Sequence, residues 1–116
     1  MLNVYRQSIA QGWTYAPDVG RALLALLEAP TLQHHLYNVA SEQRFTELDI
    51  AHTIQAIVPE VELRMHEGTA PQANAEARHG YLSSERIRRE LGFDQWTPFS
   101  EGLRSVIHWQ KAELAQ

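Results

Sequence analysis

Apolar residues recur at helical spacing in several blocks of the chain, and each block carries its own start and stop signals. The first block follows Asp18, which we predict to be the N-cap of a helix, and Pro30 ends it. The second begins at Thr46, where Asp49 completes a capping box, and Pro59 closes it. The apolar faces of these two predicted helices comprise Val19, Ala22, Leu23, Leu26 and Leu27 in the first, and Ile50, Ile54, Ile57 and Val58 in the second.

Two further helices are predicted in the last third of the chain. The first covers residues 83–91, with serines at its start and Gly92 after its end, a residue type that tolerates the left-handed conformation. The last helix begins with Thr97 as its N-cap and Pro98 at its first position. Its apolar face comprises Phe99, Leu103, Ile107 and Leu114.

Short β-prone segments lie between the predicted helices. Residues 36–40 form an apolar run that is typical of a buried strand, and residues 13–15 are also β-prone. Residues 61–66 alternate apolar and polar side chains, which is the period of a strand with one buried face. Residues 67–80 show no period, and we predict a flexible loop there. The pattern predicts one α/β domain over residues 1–116, with about four helices and two or three short strands.

Charge and composition argue against several classes of function. The formal net charge is −4 and Lys111 is the only lysine, so the chain lacks the surplus of cations that nucleic-acid binding requires. There is no cysteine, and the six histidines do not stand at metal-ligand spacing, which argues against disulfides and a metal site. No apolar run reaches the roughly 18 residues of a membrane span. We expect a cytoplasmic protein that binds neither nucleic acid nor membrane.

Four short sequence blocks together resemble a known family. The first is Trp13-Thr14-Tyr15-Ala16-Pro17-Asp18-Val19, and the second is Tyr37-Asn38-Val39. Thr46-Glu47-Leu48 and the segment from Glu90-Leu91-Gly92-Phe93 to Trp109 complete the set. In this order they resemble the C-terminal part of the NAD-dependent epimerase/dehydratase family, the extended short-chain dehydrogenases.

The resemblance implies a role in substrate binding. In the family, this part of the chain supplies walls of the substrate pocket, commonly for a sugar nucleotide, and its Tyr-Asn-Val strand joins the Rossmann sheet. The substrate-binding residues implied here are Trp13, Tyr15, Glu47 and Arg78. Simpler interpretations compete with this one, because β-prone aromatic pairs often pack in cores and an arginine in a loop is often a solvated surface residue.

Several positions depart from the family pattern. Members that bind a nucleotide diphosphate often carry one arginine two residues before the first aromatic and another in the loop before the Glu-Leu-Gly block. Gln11 occupies the first position here, and Ala73 stands near the second, with Arg78 the closest arginine in that loop. Ala40-Ser41-Glu42 also replaces the family's Gly-Ser-Gly turn. These departures weaken the case for a sugar nucleotide and leave the substrate open.

The family's motifs for cofactor binding and catalysis are missing from these residues. The glycines are dispersed instead of forming a phosphate-binding turn, and Ile107 stands four before Lys111, where a Tyr-x-x-x-Lys pair requires tyrosine. We therefore expect no cofactor to bind this chain alone, and NAD or NADP is implied only for a full-length enzyme. Two functions stay open: the substrate-binding fragment of an NAD(P)-dependent epimerase, dehydratase or reductase, and a non-catalytic binding or oligomerisation module descended from that family.

Surfaces that relatives bury against the Rossmann half would face water in this chain. They include the predicted strand over residues 36–40 and the leucines of the first helix. Unpaired strand edges and apolar patches favour association. We therefore expect a homo-oligomer or a Rossmann-domain partner.

Overall fold

The computed structural model describes residues 1–8, 10–69 and 82–115, and it confirms a fold of four helices with short strands. In chain order, the elements are β1 (Leu2–Gln7), β2 (Gln11–Trp13), α1 (Ala16–Glu28), β3 (Gln43–Phe45), α2 (Glu47–Ile57), β4 (Leu63–Thr69), α3 (Glu85–Leu91) and α4 (Phe99–Leu114). The predicted loop is wrong over residues 67–69, which continue β4, and its residues 70–80 lie outside the described part.

Two separate strand pairs make up the described β structure. β1 runs parallel to β4, and the buried Val4 lies opposite Met65. β2 runs antiparallel to β3, with Trp13 opposite Gln43, and α2 packs against β1. Neither β1 nor β3 was predicted from the sequence, because β1 mixes polar with apolar residues and β3 is only three residues long.

The hydrophobic core lies where α1, α3 and the segments beside them meet. Ala22 of α1, Ile87 of α3 and Phe93 are its buried residues. Only part of the predicted apolar face of α1 reaches this core, because Leu23 and Leu27 are 54% and 82% exposed. The expected apolar surface on α1 is therefore present in the structure.

Residues 36–40 do not form the predicted strand. Tyr37 and Val39 pack against the core while Leu36 and Asn38 are exposed, so the segment keeps the side-chain alternation of a strand. A strand also needs a neighbour to complete its ladder of hydrogen bonds, and none pairs with this segment in the described part of the chain. The apolar pattern correctly indicates which side chains face inward, but it carries no information about a partner strand.

The predicted helix ends are confirmed at two places and wrong at two others. Thr46 and Asp49 form the capping box, with hydrogen bonds of 3.2 and 3.0 Å. Gly92 follows α3 in the left-handed conformation, with a φ of 69°. Asp18 is not the N-cap of α1, because it lies within the first turn of that helix. Thr97 is not the N-cap of α4, because Pro98 holds that position and the Thr97 side chain bonds to Asp18 instead.

Candidate functional site

A pocket with a volume of about 320 Å³ opens between β2, β3, α2 and α4. Pockets for small molecules span about 300–1,000 Å³, so this one suits a small ligand or one part of a larger ligand. We call it the aromatic pocket. It is lined by Trp13, Thr14, Tyr15, Ala16, Gln43, Ile50, Thr97, Pro98, Phe99, Gly102, Leu103 and Val106.

Aromatic rings form one wall of the aromatic pocket. The ring centroids of Trp13 in β2 and Phe99 in α4 lie 6.1 Å apart, with the ring planes tilted by 58°. Phe99 in turn stacks on Phe45 of β3, at a centroid distance of 4.3 Å. Both distances lie within or just below the range that aromatic pairs favour, so each ring helps to fix the next.

Gln43 fixes the segment that leads into α4. Its side-chain Nε2 donates to the carbonyl oxygen of Thr97 at 2.9 Å, and its Oε1 accepts from the backbone N–H of Phe99 at 3.0 Å. The amide therefore satisfies two backbone groups on the pocket wall. No pattern in the sequence indicates Gln43, because one polar residue in a three-residue strand has no period to reveal it.

Asp18 holds the same segment from the side of α1. Its fully buried carboxylate accepts from the backbone N–H of Thr97 at 2.8 Å and from the Thr97 hydroxyl at 2.7 Å. The Arg21 guanidinium pairs with the same carboxylate. A buried carboxylate is tolerated only when it is paired and hydrogen-bonded, and all three contacts meet that need. Asp18 thus connects α1 to a segment 79 residues away.

Tyr15 and Gly102 meet where α1 and α4 approach each other. A Cβ atom placed on Gly102 would lie 3.2 Å from Cδ2 and 3.3 Å from Cγ of Tyr15. These distances are tighter than ordinary van der Waals contact. The missing side chain at Gly102 therefore lets the Tyr15 ring pack directly on the α4 backbone.

The turn at residues 41–42 connects the pocket to α3. Ser41 is buried, and its hydroxyl donates to the carbonyl oxygen of Trp13. Glu42 has a φ of 63°, which is the left-handed region that glycine favours. The Glu42 Oε1 accepts from the backbone N–H of Ser84 at 2.9 Å. This hydrogen bond, aided by the charge of Arg88, holds the pKa of the Glu42 carboxyl below its usual value.

A polar cluster connects the segment before residue 40 to α3. The Tyr37 hydroxyl donates to Oε1 of Glu90 at 2.7 Å, and the Nδ1 atom of His34 lies 2.9 Å from Oε2 of the same carboxylate. Burial raises the pKa of Tyr37, and its hydrogen bond to Glu90 raises it further. Burial also acts to raise the pKa of Glu90, but the contacts from Tyr37 and His34 outweigh it and lower that pKa. A raised phenol pKa is the opposite of what proton transfer near neutral pH requires.

Two of the four predicted substrate-binding residues lie together. Trp13 and Tyr15 both line the aromatic pocket. Glu47 does not line it, because it lies at the start of α2 and its Oε2 accepts from the backbone N–H of Tyr5 at 3.0 Å. Arg78 lies outside the described residues. The arrangement thus presents an apolar, aromatic surface to a ligand, with its wall fixed by buried hydrogen bonds.

The described residues contain no glycine-rich turn of the kind that binds a dinucleotide. A phosphate-binding turn needs neighbouring glycines in one loop. The described glycines instead lie in or beside five different elements: Gly12, Gly20, Gly68, Gly92 and Gly102. Among the same described residues, no group of three or more His, Cys, Asp or Glu side chains could hold a metal ion. Every helix in that part of the chain is too short or too polar to span a membrane.

The sequence matches no protein-family model and no curated protein, whereas the fold matches solved structures. The enzyme WbmF of Bordetella bronchiseptica, solved with NADH, is 31% identical with a TM-score of 0.72. That match covers 92% of this chain and 31% of WbmF. The complex of WbmF with NAD+ and UDP gives 30% identity and a TM-score of 0.70, over 92% of this chain and 30% of that one.

Two more distant enzymes share the fold. UDP-glucose 4-epimerase of Thermotoga maritima, solved with UDP-glucose, has a TM-score of 0.75 at 16% identity, over 97% of this chain and 35% of its own. dTDP-glucose 4,6-dehydratase of Bacillus anthracis, solved with NAD, has a TM-score of 0.70 at 15% identity. That match covers 95% of this chain and 34% of the dehydratase. The chain has the fold of part of an extended short-chain dehydrogenase. It spans about a third of the length of these NAD-dependent epimerase/dehydratase-type enzymes.

Proposed function

We propose that this chain is the substrate-binding, C-terminal part of an NAD(P)-dependent epimerase/dehydratase or reductase, and that it is not catalytic on its own. The observation that carries this proposal is the similarity to WbmF, at 30–31% identity over 92% of the chain. WbmF was solved with NAD+ and UDP, and a more distant neighbour was solved with UDP-glucose. These ligands support a nucleotide-linked sugar as the substrate class.

In this proposal, the aromatic pocket forms part of the substrate site. Trp13 and Tyr15 contact the substrate, because both line the pocket and Trp13 is 44% exposed. Glu47 acts indirectly, since its carboxylate holds β1 against the start of α2. Arg78 is proposed as an anion contact on the basis of the family resemblance.

In this proposal, NAD or NADP binds to the remaining part of a full-length enzyme, which we call the partner portion. The described glycines are spread over separate elements, and Ile107 stands four before Lys111, where a Tyr-x-x-x-Lys pair requires tyrosine. We therefore assign substrate binding to this chain, and both cofactor binding and catalysis to the partner portion.

Binding of nucleotide ligands to the purified chain tests the proposal. We expect calorimetry to show saturable binding of UDP-glucose and no saturable binding of NAD+. Replacing Trp13 by alanine should weaken UDP-glucose binding at least roughly fivefold, which is within the cost of losing one stacking contact. The matched control is Trp109→Ala, because Trp109 is 61% exposed and lies outside the pocket. Micromolar binding of NAD+ would contradict the assignment. An affinity for UDP-glucose that is unchanged when Trp13 is replaced by alanine would also contradict it.

An exposed apolar surface supports a partner for this chain. Leu23 and Leu27 of α1 and Leu36 are each more than half exposed. Close to Leu36 in the sequence, the backbone N–H groups of Asn38 and Val39 have no hydrogen-bond acceptor among the described residues. Unpaired edges next to apolar side chains favour pairing with another strand. We propose that a Rossmann domain or a second copy of the chain covers this surface.

A non-catalytic binding or oligomerisation module is the second candidate, and the exposed leucines of α1 favour it. Light scattering of the purified chain across micromolar concentrations measures the association directly. A stable oligomer that binds no UDP-glucose would favour the module. A strict monomer would count against both the module and association of identical copies.

A further inference from the structure

The described residues that line the aromatic pocket carry no charge. Three of them are aromatic and five others are aliphatic or proline. Transfer of a phosphate into such surroundings is costly, because a buried charge needs an opposite charge or several hydrogen bonds. The pocket therefore disfavours the anionic part of a ligand.

Three polar side chains of the pocket, Thr14, Gln43 and Thr97, already have hydrogen-bond partners in the protein. Both ends of the Gln43 amide bond to the backbone of the wall, at Thr97 and Phe99. The Thr97 hydroxyl donates to Asp18, and the Thr14 hydroxyl oxygen accepts from the backbone N–H of Ser41 at 3.1 Å. A ligand consequently finds these three side chains already engaged, and apolar contact with ring stacking supplies much of its affinity.

Among the residues that the structure describes, the neighbouring cavity does not supply a free cation either. It shares Thr97 and Pro98 with the aromatic pocket and includes Arg21. The Arg21 guanidinium is paired with the buried Asp18, which offsets its charge. A phosphate next to the shared wall would thus face a neutralised ion pair.

We propose that the aromatic pocket binds an uncharged, planar ring of the ligand, and that any phosphate group lies outside it. The ring packs against Trp13 and Phe99 and reaches towards Val106, which also lines the pocket. This inference rests on the proposed function, because that function assigns the pocket to substrate. Beyond that function, it specifies which part of the substrate enters the aromatic pocket.

Two small probes that differ in one charged group test the proposal on the full chain. Indole is flat and uncharged, and indole-3-acetate adds a carboxylate to the same ring. Saturation-transfer NMR titrations should show indole binding at least roughly fivefold more tightly than indole-3-acetate, a preference that the cost of desolvating a carboxylate predicts. Indole affinity should stay nearly constant between about 0.05 and about 0.3 M salt, because no charge pairing contributes. Equal or tighter binding of indole-3-acetate would overturn the proposal.

Substitutions at the rim locate the binding in the pocket. Val106→Trp should fill the space and abolish indole binding, and its partial exposure of 43% allows the larger side chain without buried strain. Val106→Arg should reverse the preference, so that indole-3-acetate binds at least roughly fivefold more tightly than indole. Trp109→Ala, on the same helix but outside the pocket, is the matched control and should leave binding unchanged.

The outcomes separate this inference from the proposed function. Unchanged indole binding in Val106→Trp, or an equal loss in Trp109→Ala, would refute the pocket assignment. Indole binding that follows these predictions in a chain that does not bind UDP-glucose would support the ring site and contradict the proposed enzyme class. UDP-glucose binding without any indole binding would refute only the ring site.

Discussion

Glu42 offers a direct test of how the turn after residue 40 is stabilised. It adopts the left-handed conformation with a φ of 63°, and its carboxylate accepts the backbone N–H of Ser84 at 2.9 Å. The left-handed backbone conformation destabilises the folded chain, whereas the hydrogen bond stabilises it. Substitution by alanine, glycine and glutamine separates these two contributions.

The expected magnitudes follow from the geometry. Left-handed backbone costs a residue with a side chain about 1–2 kcal/mol relative to glycine. A side chain that satisfies an N–H at the start of a helix contributes about 1 kcal/mol. Glu42→Ala loses the hydrogen bond and keeps the strain, so the free energy of unfolding should fall by about 1 kcal/mol. Glu42→Gly loses the bond but relieves the strain, and the two effects should nearly cancel.

Urea unfolding followed by circular dichroism measures these differences. Glu85→Gln is the control, because Glu85 is exposed and its pairing with Arg89 at 3.6 Å is a surface contact. We expect the unchanged chain and Glu42→Gly to be the most stable. Glu42→Gln should be less stable, and Glu42→Ala should be the least stable. A glycine variant less stable than the alanine variant would show that the backbone at this position is unstrained and would refute the reasoning.

The pH dependence of stability gives a second readout of Glu42. Its pKa is lowered from the usual 4.5 in the folded chain, first through the Ser84 N–H. The stabilisation is therefore fully present above pH 4.5 and is lost as the pH falls through the lowered pKa. Glu42→Gln should flatten that part of the stability profile. If the stability of the variant falls at low pH as much as that of the unchanged chain, the hydrogen bond from Ser84 to Glu42 does not contribute as proposed.

Two further predictions concern the walls of the aromatic pocket. Gly102→Ala should destabilise the chain by about 1 kcal/mol, because crowding the Tyr15 ring costs more than the better helix propensity returns. Gly20→Ala, in an open position of α1, should instead stabilise it by about 0.5–1 kcal/mol, and equal effects in thermal unfolding would contradict the contact. Asp18→Asn should cost about 2–3 kcal/mol, because the buried carboxylate loses its charge-assisted bonds to Thr97. If urea titration finds less than about 0.5 kcal/mol, the buried network is not the anchor of α4.

Much of the helical structure was readable from sequence because its signals are local. The capping box of Thr46 and Asp49 joins residues three apart, and Gly92 ends its helix through its own backbone conformation. The pocket was partly predicted, since Trp13 and Tyr15 were identified from the family resemblance. Gln43 was not, because its partners become visible only once β3 lies beside the entry to α4.

The sequence by itself determined the four helices and part of their inward-facing sides, because helical hydrogen bonds join residues four apart and leave a periodic record. Only the tertiary structure decided which strands pair and what the polar side chains do. β1 pairs with a strand some 60 residues later, and Asp18 bonds to Thr97 instead of capping its helix. Residues 36–40 have the pattern of a strand but pair with no strand in the described part of the chain. Hydrogen bonds between distant segments depend on where the packed helices place the backbone, and that placement leaves no period in the chain.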